Sequence, residues 1–195
     1  MTKGRLEAFT DGVLAIIITI MILEMKVPHG GNFEDLKPII PVFGSYVLSF
    51  IYIGIYWNNH HHMLQTVKQV TGSMLWANLH LLFWLSLIPF VTGWMGENHF
   101  TAASLFMYGI VLLGAAIAYF ILQTAIVKKH GKQSVLAIAL GRDLKGKLSP
   151  VFYIIGISTS FFNIWISGIT YILVAIMWLV PDKRIEKTMQ NDEPK

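Results

Sequence analysis

The sequence predicts an all-α, polytopic membrane protein, and three observations carry that reading. Only 13% of its 195 residues are charged, where a soluble domain carries roughly a quarter. Its mean hydropathy is +0.57. Its apolar residues fall into runs of about 20, the length that crosses a hydrocarbon core ~30 Å thick. The absence of cysteine excludes disulfide and thiol chemistry. A formal charge of +4 gives no argument for a nucleic-acid partner, because membrane loops collect Lys and Arg for topological reasons. The first apolar run is long, lacks an A-x-A-like site and ends in "LEMK", which reads as a retained helix rather than a cleaved signal.

Six spans are expected, at about 8–25, 41–62, 73–95, 100–127, 149–164 and 166–181. The last two come from one apolar stretch between Pro150 and Pro181. A single helix there would be about 45–48 Å long, too long without severe tilt, so "FFNIW" (161–165) is read as a tight turn. Charge supports the split. Lys3, Arg5, Lys68, Lys128, Lys129, Lys132, Arg142, Lys145, Lys147, Lys183, Arg184, Lys187 and Lys195 then face the cytoplasm, and Lys26 and Lys37 lie outside. Both termini are therefore expected in the cytoplasm. The connection "KKHGKQSVLAIALGRDLKGK" (128–147) reads as a basic loop with a short amphipathic helix on anionic lipid, and the tail "KTMQNDEPK" as frayed. With no internal repeat and no soluble segment, residues 1–195 form one domain.

Enzymatic signatures are missing. The chain has no Walker loop, no H-E-x-x-H, no G-x-S-x-G and no pair of carboxylates within a membrane helix, so neither an enzyme nor a cofactor is expected. "WNNHHHM" (57–63) tempts a metal reading. Adjacent histidines on a helix point about 100° apart and cannot share one ion, so they are taken as polar residues ending the second span, with no metal. Asn78 and His80 in "WANLHLLFWLSLIPF" (76–90) lie on an apolar helix where hydrocarbon offers no water, and both are expected to face protein partners.

The opening stretch "RLEAFTDGVLAIIITIMILE" (5–24) raises the sharpest question, because an anchor would gain nothing from Asp11. Arg5 and Phe9 share one helical face, and Asp11 enters the membrane near the helix start. The generic reading is a positive-inside arginine, an aromatic belt and a carboxylate at a helix N-terminus. A second reading joins Asp11 to Trp57, His60 and Asn78, which the six-span topology brings to the same depth, as a network locking three helices together.

These residues resemble a known family. "RLEAFTDG" is similar to the R-x-x-x-F-[ST]-D signature of the endosomal and lysosomal potassium channels of the transmembrane protein 175 type, and "YWNNHH" and "WANLHLLFWLSLIPF" resemble its following segments. Thr10 stands where the family commonly has serine. The resemblance covers essentially the whole chain and implies a prokaryotic, one-repeat member that assembles as a homotetramer around a central pore. Arg5, Phe9 and Asp11 would be its signature residues and Trp57, His60 and Asn78 their packing partners. It further implies that the first helix lines the pore through Ile16, Ile20 and Leu23, with Thr19 adjacent. Spacing alone does not choose that face, since nearly every residue from Val13 to Leu23 is apolar. A ring of Ile16 would gate by dewetting, and Thr19 hydroxyls would tune selectivity. The chain has no T-V-G-Y-G filter. The implied function is a potassium-selective leak channel of the cell (plasma or inner) membrane, with lipid, potassium ions and other copies of the chain as its partners. A secondary transporter or an assembly protein without transport activity are the alternatives.

Overall fold

The computed structural model describes residues 1–131, 133–141 and 143–179, and these are helical with no strand. Lys132, Arg142, Lys183, Arg184, Lys187, Lys195, the polar tail and the end of the sixth expected span lie outside the described residues.

Several helices start where the sequence supplies a capping side chain. Helix α1 (Lys3–Leu23) opens on Thr2, whose hydroxyl accepts the Arg5 N–H at 3.4 Å. A 3-10 helix (Phe33–Ile39) leads into α2 (Ile40–Gln65), which has Pro41 in its first turn. Thr71 caps α3 (Gly72–Ser86) through the Met74 N–H. The third expected span is broken at Leu87, and α4 (Ile88–Glu97) follows. Pro89 explains the break: it has no N–H for the Leu85 carbonyl, and its ring crowds that oxygen. Helix α5 (Ala102–His130) is followed by the six-residue α6 (Val135–Leu140), α7 (Leu144–Thr159) and α8 (Ile164–Leu179).

Several boundaries differ from expectation: α1 starts at Lys3 rather than near 8, and α7 ends at Thr159 rather than near 164. Helix α7 begins five residues early, because the Asp143 carboxylate accepts the Gly146 N–H at 3.0 Å and starts the helix ahead of Pro150. Pro150 then sits inside the helix, where it costs one backbone bond. The Asn163 side chain accepts from the N–H groups of Trp165 and Ile166 at 3.0 and 3.3 Å, so Ile164 and Trp165 belong to α8 rather than to the turn.

Among the described residues, four helical stretches are long and apolar enough to cross a membrane: Lys3–Leu23, Phe33–Gln65, Gly72–Glu97 and Ala102–His130. Helices α7 and α8 have 16 described residues each. That is about 24 Å, short of a core ~30 Å thick. The expected short helix between α5 and α7 is present, but it is not a free surface helix, since Leu136 and Ala139 are buried and α6 packs on α5.

Helix α5 is central, touching α3, α4, α6, α7 and α8. Its small residues permit this. A side chain at Gly109 would collide with Tyr171 of α8, and one at Gly114 with the Trp84 ring of α3. Several polar groups in this interior pair with one another, as a membrane core favours. Tyr52 donates to the Tyr171 carbonyl at 2.6 Å, Tyr171 to the Leu105 carbonyl at 3.1 Å, and Ser49 lies 2.6 Å from Thr92 and 3.0 Å from Tyr108.

The two ends of the bundle differ in charge. Lys3 donates to the Gln65 carbonyl, and His130 accepts from the backbone of Lys68 and Gln69. The start of α1, the end of α2, the start of α3 and the end of α5 therefore share one end, with Arg5, Lys128 and Lys129 nearby in sequence. At the other end Lys26 pairs with Glu97 at 2.7 Å, and Lys37 with Glu34.

Candidate functional site

Helix α1 has two unlike faces. It packs against α2, α3 and α4 through Leu6, Thr10, Leu14, Ile17 and Met21, all buried and spaced three or four apart. The opposite side carries Ile16, Ile20 and Leu23, with Thr19, Arg5 and Phe9, and Asp11 lies on a separate flank; all are exposed on the single chain. The division is sharp: Ile16 is 60% exposed and its neighbour Ile17 3%. Thr19 donates its hydroxyl proton to the Ala15 carbonyl at 2.8 Å. Its oxygen lone pairs are thus left as acceptors on the exposed face.

The polar residues at the start of α1 form two separate groups rather than one network around Asp11. Trp57 donates its indole N–H to Asp11 at 3.0 Å, and both side chains are exposed. His60 and Asn78 do not reach Asp11. Asn78 donates its amide to the Thr10 hydroxyl at 2.9 Å, and its amide oxygen lies 2.7 Å from His60 Nε2. Since the Asn78 oxygen can only accept, His60 Nε2 carries the proton and donates it. Thr10, Asn78 and His60 are all buried. The reason is helical geometry: Thr10 and Asp11 point about 100° apart, so only one of them can face the interior.

His80 also departs from expectation. It lies on the exposed side of α3, where it accepts the Trp84 N–H at 3.0 Å. It is two residues from Asn78, about 200° around the helix, so both cannot face the core. The three successive histidines do not converge: His60 bonds Asn78, whereas His61 lies 2.9 Å from Gln65 and edge-on to the His62 ring. Among the described residues no three His, Cys, Asp or Glu side chains are placed to hold a metal. Sequence reasoning missed Thr10 as the central partner. Its signal was present in the Leu6–Thr10–Leu14 spacing, which puts the hydroxyl on the packed row.

Residues 5–89 match the family of the endosomal/lysosomal potassium channel TMEM175. A potassium channel of Chryseobacterium sp. (strain P1-3) is 57% identical over 192 residues, covering 98% of this chain and 100% of that protein. The chain belongs to the TMEM175 family. The crystal structure of a lysosomal potassium-selective channel TMEM175 homolog from Chamaesiphon minutus superposes with a TM-score of 0.80 at 27% identity, covering 92% of this chain and 97% of that one. The endosomal/lysosomal proton channel TMEM175 of Gallus gallus is 34% identical over 101 residues, 46% of this chain and 20% of that protein. TMEM175 relatives are ion channels rather than enzymes, and this TMEM175 chain is a multi-pass membrane protein. The matched region contains α1, α2 and α3, hence both polar groups and the exposed face of α1.

Proposed function

We propose that the protein is a potassium-selective leak channel, a homotetramer whose four α1 helices surround the conduction path. The observation that carries this reading is the exposed Ile16, Thr19, Ile20 and Leu23 face of α1, in a chain whose relatives are named potassium channels. One copy of α1 cannot enclose a pore, so several must share one axis. Gly4, Ala8 and Gly12, four apart and with Gly4, Ala8 and Gly12 all exposed, allow close approach of a neighbouring helix. Ile16 forms the narrowest ring and gates by dewetting, and Thr19 oxygens replace part of the ion's hydration.

In this reading residues 1–195 form one channel domain of six spans in the cell membrane, α3 and α4 together making the third. Both termini are cytoplasmic, because the end bearing Lys3, Arg5, Lys68, Lys128 and Lys129 is the basic one. Arg5, Phe9 and Asp11 form the signature; Trp57 holds Asp11, while Asn78, backed by His60, holds Thr10 on the packed side of the same helix. The transporter alternative draws no support from the α3–α4 break. Leu87 and Val91 keep their backbone bonds to Trp84 and Leu87, so the chain is kinked there without the unwound carbonyls that build a transporter's ion site.

The test is recording from the purified full-length protein in planar bilayers, with its mass in detergent measured alongside. Unitary steps with a reversal potential near that of potassium are expected from a tetramer. Coupled flux without steps, electrical silence, or conduction by a monomer or dimer would overturn the reading.

A further inference from the structure

Away from α1, a cavity of about 180 Å³ opens among α2, α5, α7 and α8, at the end of the bundle near the α6–α7 connection. Its wall is aromatic: Tyr52, Tyr56, Tyr119, Phe120, Tyr153 and Trp178. A cavity of about this size takes one or two rings. Two polar groups set it apart from a void for lipid. Gln123 is 8% exposed, lines the cavity, and makes no side-chain hydrogen bond among the described residues; nor does Tyr56, also buried. Buried polar groups are normally paired, and one left unpaired is costly. Lys147 lies at the rim, exposed, and no carboxylate among the described residues pairs with it. Asp143, also on the rim, accepts the Gly146 N–H as the cap of α7.

We propose that this cavity binds a small aromatic carboxylate, with its ring among the tyrosines and Trp178, a ring N–H or hydroxyl on Gln123 and its carboxylate on Lys147. Flat walls match a flat guest, and aromatic faces stack with it at ring-centroid separations of about 4.5–7 Å. An acyl chain fits less well, because hydrocarbon against Gln123 leaves the amide without a partner in a dry site. An organic cation would meet Lys147 at the entrance. The proposal is independent of the ion pathway, since none of the lining residues belongs to α1.

The experiment uses full-length protein in neutral-lipid nanodiscs, with indole-3-acetate as probe and titration calorimetry as readout. Saturable binding at submillimolar concentration is expected. Lys147→Gln, at an exposed position, should weaken it roughly tenfold, as loss of a charge-assisted hydrogen bond predicts. Gln123→Leu should weaken it severalfold, and Ala116→Phe, which fills the cavity, should abolish it. Octanoate, which keeps the carboxylate on a flexible chain, should bind more weakly than indole-3-acetate. The proposal is overturned if indole-3-acetate shows no saturable binding, or if Lys147→Gln leaves its affinity unchanged. It is equally overturned if octanoate binds at least as tightly and gains affinity in Gln123→Leu, which would mark an acyl-chain site.

Discussion

The two faces of α1 are almost equally apolar, yet one is buried within the chain and the other is open. Ile17 disappears between α2, α3 and α4, while Ile16, one residue earlier, has more than half its surface uncovered. In water this contrast would be written as amphipathicity, with polar residues on the open side. In a bilayer the open side is apolar too, because its alternatives are lipid and another copy of the same helix. The difference lies in what each face can tolerate. The packed face obeys the rules of a core, and the open face those of whatever surface it meets in the assembly.

The largest expected effect comes from placing one polar side chain on each face. Ile17→Asn puts an amide among packed apolar side chains with no partner, costing about 2–5 kcal/mol through lost packing and an unmatched polar group. Yield and thermal stability should collapse. Ile16→Asn should leave both near wild type and act on conduction instead, since four copies surround one axis in the proposed assembly. Unitary conductance should rise and potassium-over-sodium selectivity, read from reversal potentials, should weaken as the ring wets. If Ile17→Asn opens the channel and Ile16→Asn merely fails to fold, the faces have been exchanged.

A smaller effect sharpens the comparison at neighbouring polar residues. Thr10→Val keeps the shape of the side chain but strips Asn78 of its buried acceptor, at an expected cost of about 1–3 kcal/mol. Asp11→Ala removes only an exposed bond to Trp57, at about 0.5–1 kcal/mol. Thermal melting of both variants, with tetramer recovery, checks the order. A larger loss for Asp11→Ala would mean that the assembly buries Asp11 and Trp57, which would shift the main anchor of α1 to the contact between copies.

What the sequence revealed followed hydropathy and charge closely, and it faded where orientation was needed. Helical class and the four long apolar stretches were legible because length and apolar runs act through the backbone. The early start of α7 was hidden by Lys145 and Lys147, which suppress hydropathy in its first turn; the capping Asp143 was the better signal. Asn78 was read as needing a partner, but its choice of Thr10 over Asp11 depends on a rotation of about 100° that an all-apolar helix does not encode. His80 failed for the same reason. The Tyr52–Tyr108–Tyr171 interior escaped notice because tyrosine passes as apolar while its hydroxyl still demands an acceptor.

The smallest effect belongs to the ends of α1. At its start Lys3 donates to a backbone carbonyl of α2, and just past its end Lys26 reaches Glu97 of α4 across exposed surface. The hydrogen bond and charge of Glu97, with a lesser contribution from Glu24, hold the Lys26 ammonium above the usual lysine range. The sign of the linkage follows: a raised pKa adds stability below the ordinary lysine value, and that addition fades as pH climbs through the folded one. Because the pair lies on exposed surface and is salt-screened, it should add almost nothing. Lys26→Ala is therefore expected to melt with the wild type at neutral pH, and raising salt should not separate them. A drop as large as that of Thr10→Val would mean that α1 is pinned at its acidic end, with its buried face a consequence of that tether.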